Sequence, residues 1–437
     1  MRGETIIKVR QVLGSNKPLP RDRGALLHLK NGRFEKVSAD GAALPVGAEL
    51  IDESDKTALP GLIDMHVHMA RREPGADINL APLYLASGVT SVRDVGSDLE
   101  AIKQMSLRIE NGEVPGPRIF FCGPQLNGKV FRPGMWNLQT EAEARGKVRE
   151  LENEGVHSLK IYDHLRPEVA RAVIEEATRV DLPVCGHLGG TKATEAIRFG
   201  LHSVEHMTSL IFELFDQQQP NPFSQDIFRK ISEIDLGGPA VRRICELVVR
   251  SGTYIDPTLV VYDRIAGFDR LKETGGYSDL VPEDLSVYWQ KRMGGFVASW
   301  LPCDFDIARA SFDKLKELLA YFHREGAKVI AGTDTPNPYI LPGLSLLEEI
   351  ELLAEAGLSP GEAINAATRT AALALGMSDE IGGIEERKRA DFVLVSGDPL
   401  EDLAAIEKPY AVFRDGIRHD PEALRATSKE LSKSTRY

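Results

Sequence analysis

Through the middle of the chain, apolar strand-like runs alternate with amphipathic stretches whose apolar residues recur at helical spacing. Eight runs have the length of buried strands. They are GLIDMHVH (61–68), TSVRDV (90–95), RIFFCG (118–123), SLKIYD (158–163), PVCGHL (183–188), HSVEHM (202–207), TYIDPT (253–258) and KVIAGTD (328–334). Regular alternation of strands and helices is typical of a parallel sheet, and eight such units predict a (β/α)8 TIM barrel.

The two ends of the chain have a different pattern. Residues 1–58 contain short strand-like stretches separated by turns, including a Lys-Asn-Gly turn within GALLHLKNGRFEKVSA. The segment after residue 377 again alternates apolar stretches with Gly, Asp and Pro turns. We therefore predict a small β-sandwich domain built from residues 1–58 and 378–437, and a barrel over 59–377. Two long connections, 208–240 and 259 to about 310, are expected to form lids over the barrel mouth.

Composition and charge argue against several classes of function. The 437 residues, 42% hydrophobic and 27% charged, are typical of an ordinary globular protein. The formal net charge of -12 disfavours nucleic acid and anionic membranes as partners, because such surfaces are bound by concentrated Lys and Arg. Four cysteines without a CxxC pair indicate neither a disulfide framework nor a thiolate zinc site. No run reaches signal-peptide or transmembrane length, so we predict a cytoplasmic protein with a small-molecule substrate.

Residues suited to metal binding lie at the predicted carboxyl ends of the barrel strands, where such barrels place their catalytic groups. Two of them, His66 and His68, lie on the same side of the first strand because side chains at i and i+2 point the same way. Neighbouring imidazoles suit a divalent metal. Four of the ten histidines in the chain fall at or next to predicted strand ends. The complete set is His66, His68, Lys160, His187, His206 and Asp334.

With these motifs, the sequence resembles the amidohydrolase superfamily of metal-dependent hydrolases over nearly the whole chain. The resemblance is carried by PGLIDMHVH (60–68), SVRDVG (91–96), LKIY (159–162), GHL (186–188), SVEH (203–206), GTD (332–334), the helix SPGEAINAATRTAALALG (359–376) and GGIEERKRADFVLV (382–395). The chain looks most like the prolidase-like and imidazolonepropionase-like group. LGGT follows His187 in place of an HxxE motif, which puts the deaminase branch in doubt.

The resemblance implies a binuclear metal site. His66, His68 and Asp334 would hold the more buried ion, and His187 and His206 would hold the second. As a carbamate, N6-carboxylysine, Lys160 would bridge both ions. Zinc is the expected metal because imidazole and carboxylate ligands with open positions suit it, although manganese or cobalt would also fit.

The implied reaction is hydrolysis of an amide C–N bond by a metal-bridged hydroxide. Asp334 would act as general base and then as general acid toward the leaving nitrogen. Tyr162, two residues after Lys160 and on the same face, is expected to hydrogen-bond the substrate carbonyl or the oxyanion, with a core position as the alternative.

Four residues are predicted to bind substrate, each with a structural alternative. Arg93 could instead form an ion pair below the site, and His164 could lie at the surface. The other two, Tyr262 and Arg264, follow the seventh strand. Glu205 is expected to point away from the metals, toward the helices, and to contact either a metal ligand from behind or a neighbouring helix.

The predicted substrate is a dipeptide or an N-acyl amino acid. Opening of a cyclic amide, as in imidazolonepropionase-like enzymes, stays open, as does a carbamate, urea or lactone substrate. From another class, a catalytically dead barrel that binds a ligand is the rival, although the intact set of metal-binding residues argues against it. The oligomeric state is not readable, but surface helices of such barrels often pair, which leaves a homo-oligomer open.

Overall fold

The computed structural model describes residues 4–16, 23–41, 45, 47–70, 77–215, 224–274, 281 and 283–434. The strands are β1 (Thr5–Val12), β2 (Ala25–Lys30), β3 (Arg33–Ala39), β4 (Glu49–Pro60), β5 (Leu62–Val67), β6 (Val89–Asp94), β7 (Arg118–Phe121), β8 (Gln125–Asn127), β9 (Met135–Asn137), β10 (Leu159–Ile161), β11 (Val184–Gly186), β12 (Ser203–Glu205), β13 (Tyr254–Asp256), β14 (Lys328–Val329), β15 (Phe392–Ser396), β16 (Ala411–Arg414) and β17 (Ile417–His419).

The α-helices are α1 (Ala81–Ala86), α2 (Leu99–Glu110), α3 (Glu141–Asn153), α4 (Pro167–Arg179), α5 (Ala193–Phe199), α6 (Met207–Ile211), α7 (Gln225–Ser232), α8 (Pro239–Ser251), α9 (Leu259–Ala266), α10 (Phe268–Thr274), α11 (Glu283–Phe296), α12 (Pro302–Arg324), α13 (Leu344–Glu355), α14 (Pro360–Ala366), α15 (Arg369–Ala374) and α16 (Pro421–Ser434). Three short 3-10 helices cover Ile78–Leu80, Phe212–Leu214 and Leu403–Ile406.

Each of the eight predicted central strands is present, as β5, β6, β7 and β10 to β14. Together with the short strands β8 and β9, which were not predicted, they form two parallel sheets, one with the order β14-β13-β12-β11-β10-β8-β9 and one with the order β5-β6-β7. Backbone hydrogen bonds link the two sheets on both sides: Met65 N donates to Ala331 O at 2.9 Å, and His157 N donates to Phe121 O at 2.9 Å. The parallel α/β arrangement agrees with the alternating pattern, and closure into one barrel stays a prediction.

Local sequence explains these elements. All six residues of β5 and of β6 are buried, as expected for parallel strands covered on both faces. Helix α3 begins with a capping box in which Thr140 and Glu143 satisfy each other's backbone N–H groups. Helix α4 begins with Pro167, whose missing N–H is harmless in a first turn, and buries Val169 and Val173 at helical spacing. The consequence is that the carboxyl ends of the strands are held in fixed positions by the surrounding helices.

The two ends of the chain meet in one mixed sheet with the order β17-β16-β15-β4-β1-β2-β3. Pairing of Leu59 in β4 with Val393 in β15 brings the N-terminal and C-terminal strands together. Strands β2 and β3 are joined by the predicted Asn-Gly turn, in which Asn31 (φ 51°) and Gly32 (φ 78°) both adopt positive φ. The described strands of both ends form a single sheet, so the second layer of the predicted β-sandwich is not confirmed.

Two segments differ from their predicted structure. Residues 421–434, predicted as part of the sheet domain, form α16, in which the Ser428 hydroxyl donates to Asn79 O beside α1 at 2.8 Å. The helix predicted over 359–376 is two helices, α14 and α15, separated at Thr368 (φ -138°, ψ -92°). The Thr368 hydroxyl donates to the Ile364 carbonyl, a local bond of the kind by which threonine competes with helix geometry.

The two long connections are largely helical. The first contains α6, α7 and the start of α8, and the second contains α9 to α11 and the start of α12, while 216–223, 275–280 and 282 lie outside the described residues. Among the described helices, none is long and apolar enough to span a membrane.

Candidate metal centre

A cavity of about 310 Å³ lies at the carboxyl ends of the central strands. Its lining includes all six residues predicted to bind metal: His66, His68, Lys160, His187, His206 and Asp334. His187 and Asp334 are partly exposed to the cavity, and the other four are buried. Residues separated by up to 268 positions in the sequence therefore line one space, because each follows or ends a neighbouring strand.

Three imidazole Nε2 atoms surround the Asp334 carboxylate. The Nε2 atoms of His68 and His66 lie 3.1 and 3.4 Å from Asp334 Oδ1. On the other side, Nε2 of His206 lies 3.8 Å from Asp334 Oδ2. The ring of His187 is 4.6 Å from that of His206, between centroids. Ligand atoms of His66, His206 and Asp334 all lie within 4.8 Å of one another, a spacing that can hold a metal ion.

The opposite side of each of these three rings is held by the protein. Nδ1 of His68 lies 3.0 Å from Gly96 O, and Nδ1 of His206 lies 2.7 Å from Thr258 Oγ1. In the same way, Nδ1 of His66 lies 2.9 Å from Glu205 Oε2 and 3.0 Å from Asp256 Oδ2. Such contacts fix the ring orientation and leave Nε2 available as a metal ligand.

Burial favours the neutral form of three of the four imidazoles, those of His66, His187 and His206. It lowers the pKa of His66, with the Lys160 charge as the next cause. The pKa values of His187 and His206 fall well below the ordinary histidine value, again chiefly through burial and further through neighbouring cations. Since metal ions bind the neutral form of imidazole, the site is prepared for metal binding at neutral pH.

Lys160 has an environment that does not suit an ordinary ammonium group. The residue is 1% exposed, and its Nζ makes no hydrogen bond to the described residues. Its ion-pair contact is a long one, with 4.0 Å between Lys160 Nζ and Glu205 Oε2. An unsatisfied ammonium group is costly inside a protein, so a carbamate at this nitrogen or a group bound beside it would fit the position.

The backbone bends sharply where the ligands emerge. His206 (φ 68°) and Asp334 (φ 61°) adopt positive φ, which is unusual for residues other than glycine and is often found at functional sites. At Gly332, a Cβ atom would lie 2.6 Å from both His66 Cβ and Asp256 Oδ1, so glycine is required two residues before Asp334. The GTD motif is thus explained by close packing as well as by chemistry.

Arg93 does not line the cavity, which corrects its predicted role in substrate binding. Its Nη2 donates to both carboxylate oxygens of Glu205 at 2.9 Å, and its Nε donates to Met65 O at 2.7 Å. The ion-pair alternative is therefore the one that the structure supports. The Glu205 carboxylate points inward, between Arg93 and His66, which differs from its expected orientation, but the expected contact behind a predicted metal ligand is present at His66 Nδ1.

The pKa of Glu205 follows from these neighbours. Burial alone would raise it, but the charges of Arg93 and Lys160 outweigh burial and hold the pKa well below the ordinary glutamate value. Asp256, at 0% exposure, shows the opposite shift: burial and the nearby Glu205 charge raise its pKa well above the ordinary value. The neighbouring cations thus favour the ionised form of Glu205, whereas the surroundings of Asp256 favour its protonated form.

Only one of the other three predicted substrate-binding residues lines the cavity. Tyr262 does so, with its hydroxyl 2.7 Å from Thr208 Oγ1. His164 lies outside the cavity lining and its Nδ1 contacts Asp163 Oδ1 at 2.6 Å. Arg264 also lies outside it, with Nε donating to Tyr339 O at 3.0 Å and Nη2 paired with a glutamate. The structure therefore gives these two residues structural contacts rather than a place in the cavity.

Other residues of the cavity follow or differ from the sequence analysis. Tyr162 lines it as predicted, with its ring 4.6 Å from that of His187. Gln125 and Arg132 line it as well and were missed, because Gln125 lies in the short strand β8 and Arg132 in the connection that follows it, and neither segment has a motif signal. Asp256 was also missed, although its position at the end of a predicted strand would have been a usable signal.

Parallel strands with imidazole and carboxylate ligands at their carboxyl ends are typical of metal-dependent hydrolases. The chain belongs to the amidohydrolase family, whose sequence model matches residues 57–418. Among curated proteins, it is similar to an ochratoxinase of Aspergillus niger, 23% identical over 416 residues that cover 81% of this chain and 73% of the relative.

Two solved structures share the fold. One is a Xaa-Pro dipeptidase with bound methionine in its active site, with a TM-score of 0.71, 20% identity and coverage of 96% of this chain and 100% of that one. The other is a bottromycin amidohydrolase, with a TM-score of 0.79, 22% identity and coverage of 99% and 91%.

Proposed function

We propose that this protein hydrolyses an amide C–N bond of a small substrate, such as a dipeptide or an N-acyl amino acid, with two divalent metal ions. The observation that carries the proposal is the convergence of three imidazole Nε2 atoms on Asp334, next to a buried lysine whose Nζ lacks a hydrogen bond. Family membership and the names of the relatives, a dipeptidase, an ochratoxinase and an amidohydrolase, favour amide hydrolysis. The acidic chain fits a cytoplasmic role without nucleic acid or membrane partners.

The residues present suit such ions. His66, His68 and Asp334 would hold one ion, His187 and His206 the other, and a carbamate on Lys160 would contact both. When bound, zinc or a similar ion supplies Lewis acidity, which lowers the pKa of water and polarises a carbonyl. The buried and orphaned Nζ of Lys160 is the local feature that favours two ions over one.

Two side chains carry the remaining chemistry. Oδ1 and Oδ2 of Asp334 lie at the centre of the imidazole cluster and are partly exposed to the cavity, so this carboxylate can accept a proton from water and return it to the leaving nitrogen. Tyr162 lines the cavity, and its hydroxyl would donate a hydrogen bond to the oxygen that gains negative charge.

Other substrates remain alternatives. Opening of a cyclic amide would be favoured by a single bound metal and an unmodified Lys160, and carbamates or ureas present a similar carbonyl. A barrel that only binds its ligand is the non-enzymatic alternative.

The test combines metal analysis of the purified protein with a hydrolysis screen of dipeptides, N-acyl amino acids and cyclic amides. We expect close to two ions per chain and turnover of a linear amide. Lys160→Ala should lower the metal content toward one ion and reduce turnover by about 100-fold or more, since even outer-sphere changes cost 10- to 100-fold. An unchanged metal count in this variant would contradict the bridging role, and no turnover of any amide by the metal-loaded protein would contradict the function.

A further inference from the structure

The cavity contains a guanidinium group that the proposed reaction does not use. Arg132 lines the cavity in the segment between β8 and β9, and Nη2 donates to Gln125 Oε1 at 2.8 Å. The guanidinium carbon also lies 5.1 Å from the centroid of the Tyr162 ring and 5.6 Å from that of Phe131. Arg132 is therefore held in position by one hydrogen bond and two aromatic contacts.

Arg132 lacks an acid partner, whereas the three arginines that are buried in the described part of the chain each have one. Arg93 is paired with Glu205, Arg118 with Asp391, and Arg264 with Glu348. No carboxylate within the described part of the chain forms an ion pair with Arg132, although acidic residues outnumber basic ones by 65 to 53. A half-buried guanidinium held without a counter-charge is well suited to a ligand anion, which it can bind through two parallel hydrogen bonds.

The position of Arg132 relates it to the reacting centre. The Tyr162 ring contacts both the guanidinium of Arg132 and, at 4.6 Å, the ring of His187. One aromatic ring thus separates the cation from the metal-binding imidazoles. An anion bound to Arg132 would therefore lie beside Tyr162, in the same cavity as the predicted metal-binding residues.

The other residues of the cavity wall indicate which chemical group of the ligand lies beside the anion. Val261, Ile265, Met293 and Ile340 form an apolar surface along the same cavity. At the rim, Phe131 is 49% exposed and Phe296 is 37% exposed, so aromatic surface continues outward. Apolar walls with one oriented polar group are typical of sites that bind an amphiphilic small molecule.

We propose that Arg132 binds a carboxylate of the substrate, so that the preferred substrates are anionic amides with an apolar side chain. This inference rests on the proposed function and names the substrate class within it. Arg132 is a binding residue and takes no part in proton transfer. A second cation in the lining, Arg292, lies on α11 with its guanidinium carbon 5.5 Å from the Phe296 ring, and we expect it to contribute less because it is exposed.

The experiment compares each carboxylate substrate with its uncharged counterpart. N-acetyl-L-leucine, N-acetyl-L-phenylalanine and L-alanyl-L-leucine would be assayed beside their C-terminal carboxamides, in the wild-type metal-loaded protein and in Arg132→Met. Loss of a charged hydrogen-bond partner predicts a fall in kcat/KM of about 10- to 150-fold for the carboxylates and little change for the carboxamides. Arg132→Lys should restore part of the preference, because it keeps the charge and loses the planar fork.

Binding provides a readout independent of turnover. Calorimetric titration with the ketomethylene analogue of alanyl-leucine, in which CH2 replaces the amide nitrogen, should show tighter binding of the carboxylate form than of the carboxamide form. Arg132→Met should remove that difference, and Arg243→Met, at an exposed position on α8, should keep it. Thermal melting of each variant checks that the fold is retained.

The outcomes separate the two proposals. Equal binding of both ligand forms by the wild type, or a carboxylate preference that survives Arg132→Met, would overturn the inference even if amides are hydrolysed. Conversely, an Arg132-dependent carboxylate preference in a protein that hydrolyses none of the amides would support the inference and contradict the proposed function.

Discussion

Two buried regions of the molecule differ in polarity. The core of the terminal sheet is apolar, whereas the interior beneath the candidate metal centre contains paired charges. In the sheet, Phe392 lies between Phe34, at a centroid distance of 5.6 Å, and Phe413, stacked at 4.2 Å. Beneath the metal centre, Arg93 and Glu205 are 2% and 0% exposed and form a two-pronged ion pair. Apolar packing stabilises the sheet in proportion to buried area, whereas buried charges cost desolvation and serve to fix the orientation of His66.

The largest expected effect is a loss of turnover on substitution of Asp334, which lines the cavity above the buried charges. Asp334→Asn keeps the shape and one ligand oxygen but removes the proton acceptor, so kcat should fall by about 10³-fold, within the range known for general bases. Metal content should remain near that of the wild type, as measured by elemental analysis of the same sample. Asp313→Asn, which removes an exposed carboxylate on α12, is the matched control. Full activity of Asp334→Asn would eliminate this residue as the base.

Next in size is a stability effect in the buried charge network. Glu205→Gln leaves the Arg93 guanidinium without its full counter-charge, and breaking a buried pair in this way costs about 3–5 kcal/mol. Chemical denaturation of the metal-free protein would measure the loss. If the cause is the uncompensated guanidinium, the double variant Arg93→Met/Glu205→Gln should recover part of the stability. A double variant as unstable as Glu205→Gln alone would point to another cause.

The matching change in the apolar core should be smaller and should leave the chemistry alone. Phe392→Leu removes aromatic contact with Phe34 and Phe413, and we expect a loss of about 1.5 kcal/mol because leucine fills most of the space. The ratio kcat/KM and the metal content should not change. A substantial fall in kcat/KM at unchanged metal content would mean that the terminal sheet is coupled to the site. It would contradict the claim that the apolar core contributes to stability alone.

The same contrast explains what the sequence could reveal. Alternation and turn residues were sufficient for β1 to β4, and apolar runs with strand-end histidines located eight of the ten described strands of the central sheets and the six predicted metal-binding residues that line the cavity. The orientation of Glu205 was wrong because the strict alternation of a strand was extended to His206. The chain turns there with φ 68°, which lets both side chains reach the interior. Such a bend is imposed by tertiary packing, so local sequence does not reveal it.

Arg132 shows a second limit of sequence reasoning. Its place in the cavity depends on the path of an irregular segment and on contacts with Gln125 and Tyr162, which the sequence does not encode as a motif. The helix over 421–434 was missed for a related reason, since the face that it buries packs against α1, which is distant in the sequence. Pattern identifies elements that bury a periodic face, whereas residues positioned by distant partners require the structure.

The smallest expected effect concerns Glu351. Its neighbours are acidic, whereas those of Glu205 are cations. Partial burial and the nearby Glu407 raise the pKa of Glu351 to about 7, because the pair can share a proton. The unfolded chain ionises Glu351 near its ordinary value of 4.5, so this contribution to stability is present below that pH and is lost as the pH rises through about 7. Glu351→Gln, uncharged at every pH, should therefore match the wild type at pH 5 and exceed its Tm at pH 8.5 by about 1–2 °C. Thermal melting from pH 5 to 9 measures the difference, with the exposed Glu430→Gln on α16 as control. A constant difference between variant and wild type across this range would show that Glu351 carries no shared proton.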